Sequence, residues 1–185
     1  MTDKMTVLYI NQTKHVLAAL THISDSDATL AADTIAGDGL LIRGFTPGAN
    51  PKVTGNERFV VPPESLNVLN VDLNEAVFLN PRAFYADENQ KMASPLPSNT
   101  VTSVVLASTK ITVQLTTLPA VVPADTNVWV QIAGGSLTEP RIATGVVVSG
   151  QEKVDIPIEV LDSGEYYVLT LAGNRSLDAR SLTVP

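Results

Sequence analysis

The chain has no cysteine, which excludes disulfides, thiol catalysis and thiolate metal sites. Histidine is almost as scarce, with His15 and His22 the only two. Both fall in one predicted strand, residues 15–23, at an odd spacing that sends them to opposite faces roughly 20 Å apart. They therefore cannot share one metal within that strand, and His15, beside a polar turn, reads as a surface side chain. No nucleophile elbow, phosphate loop or metalloprotease helix motif is present. Aromatic residues make up only 5% of the 185, so the cores must be built from Val, Leu, Ile and Ala. No basic stripe exists either. Residues 1–95 carry 7 basic and 11 acidic side chains (-4), and residues 96–185 carry 5 and 8 (-3), together the net -7. This even acidity argues against nucleic acid, where clustered cations supply most of the affinity, and against anionic membrane surfaces. The run Val7-Leu8-Tyr9-Ile10 is too short for a leader peptide core, and no run approaches the ~20 apolar residues that span a bilayer. The expectation is cytoplasmic synthesis with no membrane insertion.

What the chain does have is β pattern. Hydrophobic residues reach 44%, rich in Val and alternating with Thr, so disorder is not the default reading. The fold class expected is all-β, in two small domains. Met92-Ala93-Ser94-Pro95-Leu96-Pro97-Ser98-Asn99 reads as a joint, with residues 94–99 a stiff Pro-containing linker between domains 1–93 and 100–185. In the first domain, strands are predicted over residues 6–10, 15–23, 40–42, 58–61, 66–73, 76–79 and 83–86. One short helix is predicted over 27–36, capped by Asp25 or Asp27 and stopped by Gly37. This reads as a small β-barrel or sandwich. A long Gly/Pro-bearing loop spans 46–56. In the second domain, seven strands are predicted over 102–107, 110–118, 127–133, 142–148, 153–160, 165–172 and 177–184. Pro157 cannot donate a ladder bond, which sends its strand to a sheet edge.

Asp162-Ser163-Gly164-Glu165-Tyr166-Tyr167-Val168 carries the pattern Asp-x-Gly-x-Tyr-x-apolar. On this motif, with Trp129 on the third strand, residues 98–185 resemble the immunoglobulin-like superfamily. The resemblance implies a seven-stranded sandwich in which the Tyr166 hydroxyl bonds back to nearby backbone. It places Trp129 as the core Trp, and Val168 with Leu115 or Val113 where other members bridge two cysteines. It also implies recognition or structural display rather than catalysis. The stretch from Gly164 through Ser176 is similar to accessory sandwiches of phage-tail-like particle proteins.

Candidate sites are few. Asp25, Asp27, Asp33 and Asp38 form the one acid cluster a cation such as Ca²⁺ would use, although the EF-hand spacing fails at Leu30 and Ala36. Otherwise no cofactor is expected. Glu57, Glu64, Asp72 and Glu75 are dispersed, with nothing to pair them as glycosidase chemistry requires. Asn11-Gln12-Thr13 and Asn174-Arg175-Ser176 fit the glycosylation triplet, and both read as chance matches. The functional clue is a conflict of faces. If Trp129 and Tyr166 point inward, then Val128, Val130, Ile132, Tyr167, Leu169 and Leu171 form an outward apolar patch larger than a lone domain tolerates. The opposite register puts Trp129 and Tyr166 outside as an aromatic platform for sugars. The apolar face would pack on the N-terminal domain, on a protein partner or on an oligomer mate. The expectation is a non-enzymatic structural or interaction protein, a subunit or accessory of a larger assembly such as a phage-tail-like or surface particle. A carbohydrate-binding module is the alternative.

Overall fold

The computed structural model describes residues 4–21, 30–43, 58–97, 100–117, 120–173, 175 and 177–185. The protein is all-β, with fourteen strands, two five-residue helices and two 3-10 turns among these residues. It divides into two compact units: Met1–Ile42 with Val60–Pro97, and Arg43–Phe59 with Ser98–Pro185.

The first unit is built on an antiparallel sheet in the order β2-β1-β5, from β1 (Lys4–Ile10), β2 (Val16–Thr21) and β5 (Leu66–Asp72). As the central strand, β1 is buried on both faces, which explains its near-continuous apolar run. Its residues Met5, Val7 and Tyr9 share a core with Val16, Val71, Val77, Phe84, Ala86 and Ala93. Helix α1 (Ala32–Ala36) is stopped by Gly37 at φ 58°, as expected, and precedes β3 (Leu40–Arg43), which pairs with β4 (Arg58–Val61). The predicted caps Asp25 and Asp27, His22, and the 46–56 loop lie outside the described residues.

Two expectations fail here. Residues 76–79 are not a strand but belong to helix α2 (Glu75–Leu79). The Asn74 side chain accepts from the Ala76 amide at 3.0 Å and Glu75 sits in the first turn, so the cap decides over the apolar run. Residues 94 and 95, read as linker, end strand β7 (Met92–Pro95), which pairs with β6 (Phe84–Asp87). Pro95 tolerates this place at the strand's end, opposite Phe84. The Asp87 carboxylate closes the turn by accepting from the amides of Asn89 and Gln90 at 3.0 Å each.

The second unit has two sheets facing each other across one core. Four strands run in the order β11-β10-β13-β14, from β10 (Thr126–Gly134), β11 (Arg141–Val147), β13 (Gly164–Ala172) and β14 (Asp178–Val184). Three run β12-β9-β8, from β8 (Ser103–Leu106), β9 (Lys110–Gln114) and β12 (Lys153–Pro157). Strand β12, with Pro157, does lie at an edge. Val104, Ile111, Val113 and Ile156 from one sheet meet Val128, Val130, Ile132, Val168 and Ala172 from the other. Fully burying each of these Val and Ile side chains contributes about 1.5–3 kcal/mol. The corner motif behaves as the sequence suggests: the Tyr166 hydroxyl donates to the Asp162 carbonyl at 2.9 Å. Its ring lies where a side chain at Gly135 would be, so the Gly134-Gly135 turn is shaped around it.

Candidate interaction surface

The antiparallel register of β10 on β13 settles the conflict of faces. Val128 pairs with Ala172, Trp129 with Leu171, Gln131 with Leu169, Ile132 with Val168 and Ala133 with Tyr167. Paired residues share a face, so Val128, Val130 and Ile132 lie with Tyr166 and Val168 in the core between the sheets. Trp129 lies with Tyr167, Leu169 and Leu171 on the other face. The six-residue patch therefore does not exist as one surface: half of it is core, and the rest belongs to the outer face. Trp129 is also not the residue between the sheets that the resemblance implied. The sugar platform fails for the same reason, since Trp129 and Tyr166 lie on opposite faces and are 1% and 0% exposed.

The outer face is nonetheless apolar. Trp129, Leu169 and Leu171 are as buried there as the core between the sheets, and Ala179 of β14, opposite Leu169, continues the surface. On the other flank, β11 carries Ile142 opposite Gln131, Thr144 opposite Trp129 and Val146 opposite Asn127. Ile142 and Val146 are 39% and 40% exposed, and Val148 follows them into solvent. These residues were readable as an alternating strand. That the strand lies at an edge was not, because edge position is set by topology.

The four sheet edges of this unit differ in how they are guarded. Pro157 ends β12, and Asp155 on that strand accepts from Lys110 at 2.7 Å and Thr112 at 2.5 Å. These bonds, with Lys153 nearby, hold the Asp155 carboxyl below its usual range. Strand β8 has only four residues. On β14, Arg180 grips Asp178 through two bonds at 2.6 and 2.7 Å, on the face that carries Leu182 and looks inward. Strand β11 is seven residues long, and its one charge, Arg141, is engaged elsewhere. The Arg141 guanidinium donates to the carbonyls of Glu159 and Val160 at 3.1 Å each and meets the Glu159 carboxylate at 3.3 Å. Glycine at 145 lets β11 approach β12, since a Cβ there would lie 2.8 Å from the Ile156 side chain.

Only half of the acid cluster falls within the described residues. Asp25 and Asp27 lie outside the described residues, Asp33 and Asp38 are exposed, and the Asp33 carboxylate accepts from the Thr34 amide at 2.6 Å. Among the described residues no three His, Cys, Asp or Glu side chains gather as a metal would require. Asp72 and Glu75 line a shared groove of about 530 Å³ with Met92, and Asp72 is held by Lys4 at 2.5 Å. His15 is buried rather than at the surface, its Nδ1 3.0 Å from the Thr13 hydroxyl, so that triplet's Thr is committed inside the fold. Beside it, Tyr9 donates to Glu88, which also accepts from Lys14 at 3.0 Å. No described helix is long and apolar enough to cross a membrane. Comparison with protein-family models, with curated proteins and with solved structures finds no match to this chain.

Proposed function

We propose that the protein is a non-catalytic interaction subunit that works by protein–protein contact within a larger assembly. The observation that carries this reading is the outer face of the β11-β10-β13-β14 sheet. Its inner part, Leu169, Leu171 and Trp129, is already buried within the chain, and its open apolar part is the β11 flank, Ile142 and Val146 with Val148 beyond them. A sheet edge that exposes β-branched side chains and unspent backbone groups favours another chain over a small molecule. The same reading takes the second unit as an immunoglobulin-like domain, with the Tyr166 corner as its support and the outward Trp129 as its departure. A phage-tail-like or surface particle is the narrower form of the proposal.

The test is the mass at which the untagged chain travels in an extract of its own host. Cofractionation at several times its own 19.6 kDa, with cross-links from a photoreactive group at Ile142, is the expected result. Migration at the chain's own mass, with no cross-linked species, removes the assembly reading. Sedimentation with large particles selects the narrower form.

A further inference from the structure

The assembly reading leaves the partner open, and β11 itself limits the choice. Natural sheets protect their edges with short strands, prolines and inward charges, because an open edge templates another strand. In the second unit β12 carries Pro157, β8 is short, and β14 turns Asp178 and Arg180 inward. Among these four described edges β11 is long, and its one inward charge, Arg141, stands at its first residue, leaving Ile142 to Val147 without such a device. Its sequence, Arg141-Ile142-Ala143-Thr144-Gly145-Val146-Val147, is also close to self-complementary about its centre.

We propose, resting on the assembly reading, that β11 pairs antiparallel with β11 of a second copy of this chain, about a twofold axis at Thr144. In that register Ile142 faces Val146 of the mate, Ala143 faces Gly145, and Thr144 faces Thr144. Ile142 and Val146 stand two residues either side of Thr144 and share its face, so both Ile142–Val146 pairs form on the outer face, where these side chains are exposed. Cross-strand pairs of β-branched residues and a Thr–Thr pair are among the favourable contacts of antiparallel sheets. Arg141 faces Val147 and Glu139 faces Ser149, so no like charges oppose each other. Shifting the centre to Ala143 would set Val146 against Pro140 and Ile142 against Thr144, losing both apolar pairs. The two four-stranded sheets become one of eight strands with a single continuous outer face.

The absence of cysteine makes the test direct. Paired Cα atoms in an antiparallel ladder lie about 4.5–5.5 Å apart, within disulfide reach. The full chain carrying Thr144→Cys is expected to form a covalent dimer under mild oxidation at least about tenfold faster than Val105→Cys, an exposed site on β8. Light scattering gives the second arm. Wild type is expected to be a dimer, Ile142→Lys with Val146→Lys a folded monomer, and Ile142→Lys with Val146→Glu a dimer again, because opposite charges then meet across the axis. Folding of each variant is checked by circular dichroism. A wild-type monomer at all micromolar concentrations overturns the pairing and leaves the assembly reading to the host extract. A dimer in which Thr144→Cys cross-links no faster than Val105→Cys also overturns the pairing, while showing self-assembly through another surface. Failure of the Lys/Glu pair to restore the dimer overturns this register.

Discussion

Tyr166 shows how one atom can organise a corner. Its hydroxyl holds the Asp162 carbonyl while its ring fills the space left by Gly135. Tyr166→Phe keeps the ring and loses the bond, so we expect a loss of about 0.5–1.5 kcal/mol, read as a lower urea midpoint at unchanged slope. Thr170 is the reverse case. It faces the core between the sheets opposite Val130, fully buried, and its hydroxyl has no hydrogen-bond partner. Thr170→Val removes an uncompensated polar atom at nearly constant shape and is expected to stabilise by about 1 kcal/mol in the same measurement. The Tyr9–Glu88–Lys14 group gives a pH signature. Burial, and then the bond to Glu88, push the Tyr9 hydroxyl well above its ordinary 10.0. The bonds from Tyr9 and Lys14 hold the Glu88 carboxyl below its ordinary 4.5. The raised Tyr9 contributes stability that is complete below pH 10.0 and lost as pH rises further. The depressed Glu88 contributes stability present above 4.5 and lost as pH falls below it. Denaturant midpoints across pH should therefore show a plateau between these limits, and Tyr9→Phe should remove the part of the alkaline fall that Tyr9 causes. An unchanged alkaline limb would exclude Tyr9 as its source.

Among the elements, β11 and β12 come together where Gly145 leaves out a side chain. Gly145→Ala drives a methyl against Ile156, and the expected cost is about 1–3 kcal/mol, measured by thermal or urea unfolding. Smaller loss would mean that Ile156 finds another rotamer. The elements also show what was legible in the chain. All seven strands of the second unit stand within a few residues of their predicted places, because alternation such as Ile111, Val113 and Leu115 against Thr112, Gln114 and Thr116 is a local signal. The edge place of β12 was legible through Pro157. Helix α2 was not, because Ala76-Val77-Phe78-Leu79 is an apolar run of strand length and the deciding signal is one Asn74 side-chain bond. Strand β7 was hidden by its proline. The faces of β10 and β13 were illegible for a different reason. Val128 through Ile132 and Val168 through Ala172 are buried on both sides, so these strands have no polar alternation to name the inward face. Only the ladder register, set by strands far apart in sequence, could do so.

At the scale of the whole molecule, charge opposes the association that the surface favours. Each copy carries -7, so bringing two together costs repulsion that salt screens. Dimerisation through β11 should tighten from low to moderate salt, since its central contacts are apolar. Weakening with salt, followed by sedimentation equilibrium, would indicate ion pairs at the interface and another surface. A different property follows from where the register puts Trp129. It is the protein's only indole, and it stands on the outer face rather than between the sheets. Trp129 is 1% exposed, so its emission reports how the chain itself covers that part of the outer face. The tyrosine band sums four residues, Tyr167 of the outer face among them, whereas tryptophan emission comes from one place. The chain comes with a spectroscopic label already placed under its own cover, one strand in from the proposed pairing edge.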